Sequence, residues 1–229
     1  MRAPAARSIA HSVGVAPLAL VVCGCAMMFQ GAQTGEQIKP PEAHVSPKMD
    51  FTRISKLGVF PLFPSGGIEE QTFAEGLIAA LTSALEARQA QWQVQGYREV
   101  VSAINERALG TGYKNLQADF NTFAGPGGQF VLSPATRKFL GDLQRTTGVD
   151  AFLIGTYSLT QEPRLVRGPL GPVQRVVDVS TVRVTLYYAK DAENWWTAST
   201  GRYGARAGVI DEIAKSLGAY LGKGTLRQL

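Results

Sequence analysis

Most hydrolytic and transfer chemistry needs a thiol, an imidazole or a pair of carboxylates, and this chain offers few of them. Its two cysteines, Cys23 and Cys25, end the first apolar segment, and its two histidines, His11 and His44, both precede residue 51, where hydrophobic periodicity begins. Residues 51–229 therefore hold no thiol nucleophile, no histidine base, no Ser-His-Asp triad and no ordinary zinc ligand set. Acid pairs remain, because two carboxylates in a cleft can hydrolyse a glycosidic bond without histidine. Asp150 heads an apolar run, where α/β folds tend to put function, and Asp119 is the acid that could come near it. A single acid beside a glycine turn is ordinarily a cap or turn residue.

The cysteine chemistry is of another kind. Arg2 and Arg7 open the chain, Val13 to Val22 is apolar, and Val22-Cys23-Gly24-Cys25 follows, which reads as an export signal over residues 1–24. The end of this segment resembles a bacterial lipobox, with Cys25 as the acylated residue: Gly24 is the small residue before it and Val22 the apolar residue three before. Pro17 interrupts the apolar run, which is short for a membrane span. Acyl chains contribute about 0.8 kcal/mol per buried CH₂, so several of them on Cys25 make attachment to a membrane effectively permanent. Ala26 follows the cysteine, and among Gram-negative lipoproteins that resemblance implies the outer membrane. Residues 25–50, with Pro40, Pro41 and Pro47 and little periodicity, read as a lipidated cysteine and a flexible tether. Covalent lipid on Cys25 is the one attached group expected; no other cofactor and no metal is.

Charge adds little. The formal +5 becomes +3 once Arg2 and Arg7 are removed, and no basic run or aromatic-basic platform accompanies it, so nucleic acid is not an expected partner. The turn Pro64-Ser65-Gly66-Gly67 precedes a helix but carries no phosphate-binding fingerprint, and Glu69 and Glu70 would repel phosphate.

The element that must position Asp150 is Ser133 to Leu159. Ser133-Pro134 starts a helix, Phe139, Leu140 and Leu143 share one face, Gly148 stops it, and Ala151 to Ile154 is the buried run of a central strand. Before it come a strand over Ile54–Phe63, a helix over Glu69–Arg88, a short strand at Trp92–Val94 and a helix over Tyr97–Arg107. Leu109 to Gln129 reads as a long glycine-rich loop with Tyr113, Phe120 and Phe123. After it come a long hairpin, Gly155–Val166 and Val173–Tyr188, then a last strand from Trp195-Trp196, whose indoles are expected on opposite faces, and a closing helix on Val209, Ile213 and Leu217. The fold class is α/β (α+β): one mixed sheet of about five strands with helices packed on it, a single domain over residues 51–229.

Three stretches carry a resemblance: Gly58-Val59-Phe60-Pro61-Leu62-Phe63, Thr147 to Thr156, and Val182 to Trp196. Together they are similar to the bacterial envelope lipoproteins that include the curli secretion channel lipoprotein CsgG, the penicillin-binding-protein activator LpoB, and relatives with the TolB N-terminal fold. The resemblance implies a periplasmic domain that binds a protein partner in an envelope or secretion assembly and has no enzymatic activity. It also implies two alternatives, an oligomeric secretion channel subunit and a regulator of peptidoglycan synthesis. One hairpin where the channel protein has two, and charges at Arg164, Arg167, Arg175, Asp178 and Arg183, weigh against a barrel. The partner-contact residues expected are Arg164, Arg167, Trp195 and Trp196. An enzyme acting on cell-wall glycan through Asp150 is the remaining reading.

Overall fold

Helix faces that repeat every three or four residues bury themselves on a pleated sheet. The computed structural model, which describes residues 37–88, 91–122, 131–168 and 170–221, has helices on both sides of one sheet. In chain order the elements are β1 (Gln37–Val45), a short 3-10 turn (Phe51–Arg53), β2 (Lys56–Val59), β3 (Phe63–Gly67), α1 (Gln71–Arg88), β4 (Gln93–Gln95), α2 (Tyr97–Glu106), α3 (Gly110–Thr122), α4 (Pro134–Thr147), β5 (Ala151–Gly168), β6 (Gly171–Tyr188), β7 (Glu193–Tyr203) and α5 (Arg206–Leu221). The seven-stranded sheet runs β1-β7-β6-β5-β2-β4, with β3 also paired to β5. It is an open mixed sheet: β2 and β3 run parallel to β5, and along β5-β6-β7-β1 each strand is antiparallel to the next.

The helix-turn-strand at the centre forms as its residues predict. The Ser133 side chain accepts the Thr136 amide, Pro134 opens α4, and Gly148 closes it at φ 68°. Leu153 faces one side of β5 with Tyr157 and Leu159, against α1 (Phe73, Leu77, Leu81, Leu85) and α5 (Val209, Ile213, Leu217). Phe152 and Ile154 face the other, against α2, α3 and α4. A strand buried on both faces shows no alternation, which is why Ala151–Ile154 is continuously apolar.

Four expectations need correction. The first strand is two, because Pro61 cannot donate to a ladder; the chain breaks after Val59 and resumes as β3, so Pro64-Ser65-Gly66-Gly67 is paired strand rather than a turn. The supposed loop Leu109–Gln129 is helix α3 through Thr122, with Leu116 and Phe120 in the core; Phe123 lies outside the described residues. Gly112 misled because its role is contact: a Cβ there would lie 2.5 Å from Phe139 Cδ2. The tether is shorter than residues 25–50, since Gln37–Val45 pairs with β7 despite Pro40 and Pro41, which an edge strand tolerates. The sheet accordingly has seven strands rather than about five, counting β1 and the split of the first strand.

Candidate interaction surface

Asp150 is where chemistry was sought, and its geometry is structural. Its Oδ2 accepts the amides of Ser55 (2.9 Å) and Lys56 (3.1 Å), and its Oδ1 meets Lys190 Nζ at 2.8 Å. Burial pushes its pKa up, but the hydrogen bonds from Lys190, Ser55 and Lys56 outweigh this and hold the carboxyl below its usual range. It ties the start of β2 to the start of β5. Asp119 is engaged elsewhere, accepting the Ser133 amide at 2.8 Å ahead of α4. Among the described residues no group of three His, Cys, Asp or Glu is placed to hold a metal, and no helix is long and apolar enough to cross a membrane. A cleft of about 400 Å³ lies between β3 and α1, lined by Pro61, Pro64, Ile78, Tyr97 and Tyr157, with Glu69 and Glu75 supplying negative charge that disfavours phosphate.

The two tryptophans are not a surface. Trp195 and Trp196 are 0% and 1% exposed, both in the core cluster with α1 and α5. Opposite faces were expected from strict alternation, but the register slips: Leu186 pairs with Trp196 and Tyr187 with Asn194, leaving Trp195 as the extra residue of a β-bulge. Trp195 then stacks on Tyr188 at 3.8 Å, and the Arg53 guanidinium covers both rings while binding Asp191 through both nitrogens.

The surface that remains is the far half of the β5–β6 hairpin. The two strands pair from Ala151↔Tyr188 to Gly168↔Gly171, but β3 stops at Leu159 and β7 at Val179. Eight rungs, Gln161↔Asp178 to Gly168↔Gly171, therefore extend past both neighbours as a two-stranded ribbon, roughly 25 Å long at ~3.4 Å per rung. Its base is pinned: Asp178 accepts from Gln161 (2.9 Å), lies 3.7 Å from Arg206, and its carbonyl accepts the Gly204 amide. Beyond the base, Leu165 is 76% exposed, Val176 66% and Leu170 wholly exposed, with Val173 also exposed. Residues 163–176 hold three arginines and no acid. Arg164 lies directly opposite Arg175, a like-charge rung that isolated ribbons avoid, and its guanidinium leans 3.7 Å over the Tyr203 ring. The side chain of Arg167 lies outside the described residues; its backbone pairs with Pro172. Cys25 lies outside them too.

The ribbon's two edges differ. Pro163 has no N–H, so a paired Pro there interrupts the β5 edge, whereas β6 from Val173 to Asp178 carries no proline. Sequence reasoning found Arg164 but passed over Leu165, Leu170, Val173 and Val176. The available signal was length: β5 and β6 have 18 residues each against 11 for β7 and 5 for β3, so among the described residues the hairpin's end has no further strand beside it.

No known family's sequence pattern matches this chain, and no curated protein matches it. Among solved structures, the fold is similar to the PelC dodecamer from Paraburkholderia phytofirmans, at 15% identity over 82% of this chain and 98% of that one, with a TM-score of 0.43. It is also similar to lipoprotein GNA1162 from Neisseria meningitidis (13% identity, 73% and 97% covered, TM-score 0.41) and to the LpoB C-terminal domain from Escherichia coli (15%, 67% and 86%, TM-score 0.37). These likenesses are distant.

Proposed function

We propose that this chain is an outer-membrane-anchored periplasmic lipoprotein, attached through Cys25, that acts as a non-enzymatic binding and assembly factor for an envelope or secretion complex. One observation carries the reading: the longest strand pair of the sheet projects past its own core and presents strand edges that no other described strand pairs, which is a docking element rather than a catalytic one. The partner protein adds an extended segment along the proline-free β6 edge between Val173 and Asp178, where main-chain hydrogen bonds give affinity, with Arg164 and Arg167 as flanking charges. Asp150 and Asp119 support the same reading by being bound to backbone amides and not to each other.

The test is a crosslinked pull-down from membranes with the full lipidated chain and a variant in which residues 163–176 are replaced by Asn-Gly, a two-residue hairpin turn. A specific protein recovered with the first and lost with the second is the expected result. Equal recovery with both would remove the ribbon from the reading. The partner's own class, secretion machinery or peptidoglycan synthesis, then separates the assembly factor from the synthesis regulator.

A second reading, the oligomeric channel subunit, has the same open edges in its favour, because ribbons of neighbouring copies can pair edge to edge. Arg164, Arg167 and Arg175 oppose it, since a barrel's outer band is apolar. Light scattering on the lipidated chain in detergent decides: a discrete ring brings the channel forward, and a monomer rejects it.

A further inference from the structure

We infer that the cleft between β3 and α1 takes a lysine or arginine side chain carried on an extended segment of a protein partner. This rests on the assembly reading above and adds to the ribbon a second contact, made by side-chain recognition rather than by strand pairing.

Three observations carry it. The first is place. The chain leaves β2 through α1 to reach β4, then returns through α2, α3 and α4 to β5 on the other side of β2, with α1 on one face of the sheet and the later helices on the other. β2 is parallel to both of these neighbours, so the strand order reverses at its carboxyl end. Open α/β sheets leave a crevice at that position because the two connections diverge from it. Pro61 and Leu62 follow the last residue of β2, Tyr97 opens α2 just after β4, and all three line the cleft with Tyr157 of β5. Its volume of about 400 Å³ is that of a small ligand site.

The second is charge. Glu69 and Glu75 line the cleft, and no lysine or arginine does. One oxygen of Glu75 accepts Gln71 Nε2 at 2.8 Å, whereas Glu69 is exposed and has no hydrogen bond or ion pair among the described residues. Arg98 lies outside the lining, with its guanidinium 5.8 Å from the centre of the Tyr97 ring, and leaves the Glu69 carboxylate unpaired. An acidic or phosphorylated segment is repelled here, and a basic one is attracted.

The third is the Tyr157 hydroxyl. This residue is 3% exposed, and its oxygen accepts the Glu70 amide at 3.2 Å, but its own hydrogen has no acceptor among the described residues. A buried donor left without an acceptor is costly. An ammonium or guanidinium group alone supplies none, because it only donates; the main-chain carbonyl of a peptide does. Carbonyl to Tyr157 and cation to Glu69 and Glu75 together describe a basic residue within a chain. Leu62, Ala74 and Ile78 then pack on the methylene stem. Pro61 and Pro64 have no N–H, so this wall cannot pair an added strand at those positions and holds its ligand by side chains.

The experiment titrates the full lipidated chain in neutral detergent with acetylated, amidated alanine pentapeptides carrying lysine, norleucine or glutamate at the centre, and with butylammonium, following the NMR signals of each ligand. The lysine peptide should bind about tenfold more tightly than the norleucine peptide, which keeps the stem without the charge, and the glutamate peptide should not bind. Butylammonium has stem and charge but no carbonyl, and should bind about fivefold more weakly than the lysine peptide. Glu69→Gln with Glu75→Gln should erase the difference between lysine and norleucine. Tyr157→Phe should weaken both of those peptides about fivefold and leave butylammonium unchanged, a split that a merely structural tyrosine does not produce. Equal binding of the lysine and norleucine peptides, or no binding of the lysine peptide up to about 10 mM, overturns the proposal. Butylammonium binding as tightly as the lysine peptide also overturns it, in favour of a site for free amines. A lysine peptide that fails to bind, while the pull-down still loses its partner on replacement of residues 163–176, removes the cleft and leaves the assembly reading intact.

Discussion

Removing the Asp150 carboxylate tests whether that residue is structural. In Asp150→Ala the amides of Ser55 and Lys56 lose a charged acceptor at 2.9 and 3.1 Å, at the point where β2 begins and the parallel pairing of β2 with β5 is set. Hydrogen bonds to a charged group contribute about 1.5–3 kcal/mol each, but two to one carboxylate are not additive. The Lys190 partner is half exposed, so that ion pair adds no more than about 1 kcal/mol. The expected loss is about 3 kcal/mol, a fall in Tm of roughly 6–12 °C for a domain of this size. Asp150→Asn keeps one oxygen acceptor and should lose about half as much. The assay is urea denaturation of the lipid-free chain, read as a lower midpoint at unchanged slope. The pH dependence gives a second reading. The folded carboxyl has its pKa held below the unfolded value of about 4, so its contribution is fully present above that value and is lost as pH falls through the lower folded value. Wild-type stability should therefore drop more steeply than that of Asp150→Asn on acidification. A destabilisation of Asp150→Ala within about 0.5 kcal/mol, the range of a plain surface change, would refute the reasoning and return Asp150 to the list of candidate acids.

Other outcomes follow from the same geometry. Gly112→Ala forces a methyl against Phe139 and should destabilise by about 1–3 kcal/mol in the same urea assay. Trp196→Ala should remove about 3–5 kcal/mol as a buried aromatic, while Trp196→Phe should lose less, because the indole N–H has no acceptor among the described residues. Tyr187, whose pKa burial raises to about 12, stays neutral after the unfolded phenol has ionised at about 10, so its contribution is present below about 10 and is lost between there and about 12. Burial raises the Tyr113 phenol as well, so absorbance titration should show more than one late phenol, of which Tyr187→Phe removes one.

What could be read without coordinates was local. Ser133, Pro134 and Gly148 mark the ends of α4 because capping depends on neighbours within one turn, and the periodicity of α1 and the apolar run of β5 depend on windows of a few residues. Where the reading failed, a distant residue had altered the meaning of a near one. Gly112 looked like loop chemistry until Phe139, on another helix, explained it. Trp195 and Trp196 had to alternate until a bulge set by pairing with β6 placed both in one core. Pro40 and Pro41 suppressed helix as expected, but only the edge of β7 could make their neighbours a strand.

By itself the sequence determined that residues 51–229 lack the thiols and imidazoles of common catalysis, that Cys25 stands in a lipobox-like setting, and that a helix-turn-strand centres an α/β sheet; that His44 nevertheless joins the fold, in β1 opposite Thr197, was set only by strand pairing. Tertiary structure decided which apolar residues are core and which are exposed. Leu159 and Leu165 belong to one strand and one face, yet the first has β3 beside it and helices over it, and the second has neither. Burial is a property of the neighbours a residue acquires. A hairpin's strands pair for as long as their own register allows, so where the rest of the sheet stops, and what is left bare beyond it, is settled only by the lengths of the strands alongside.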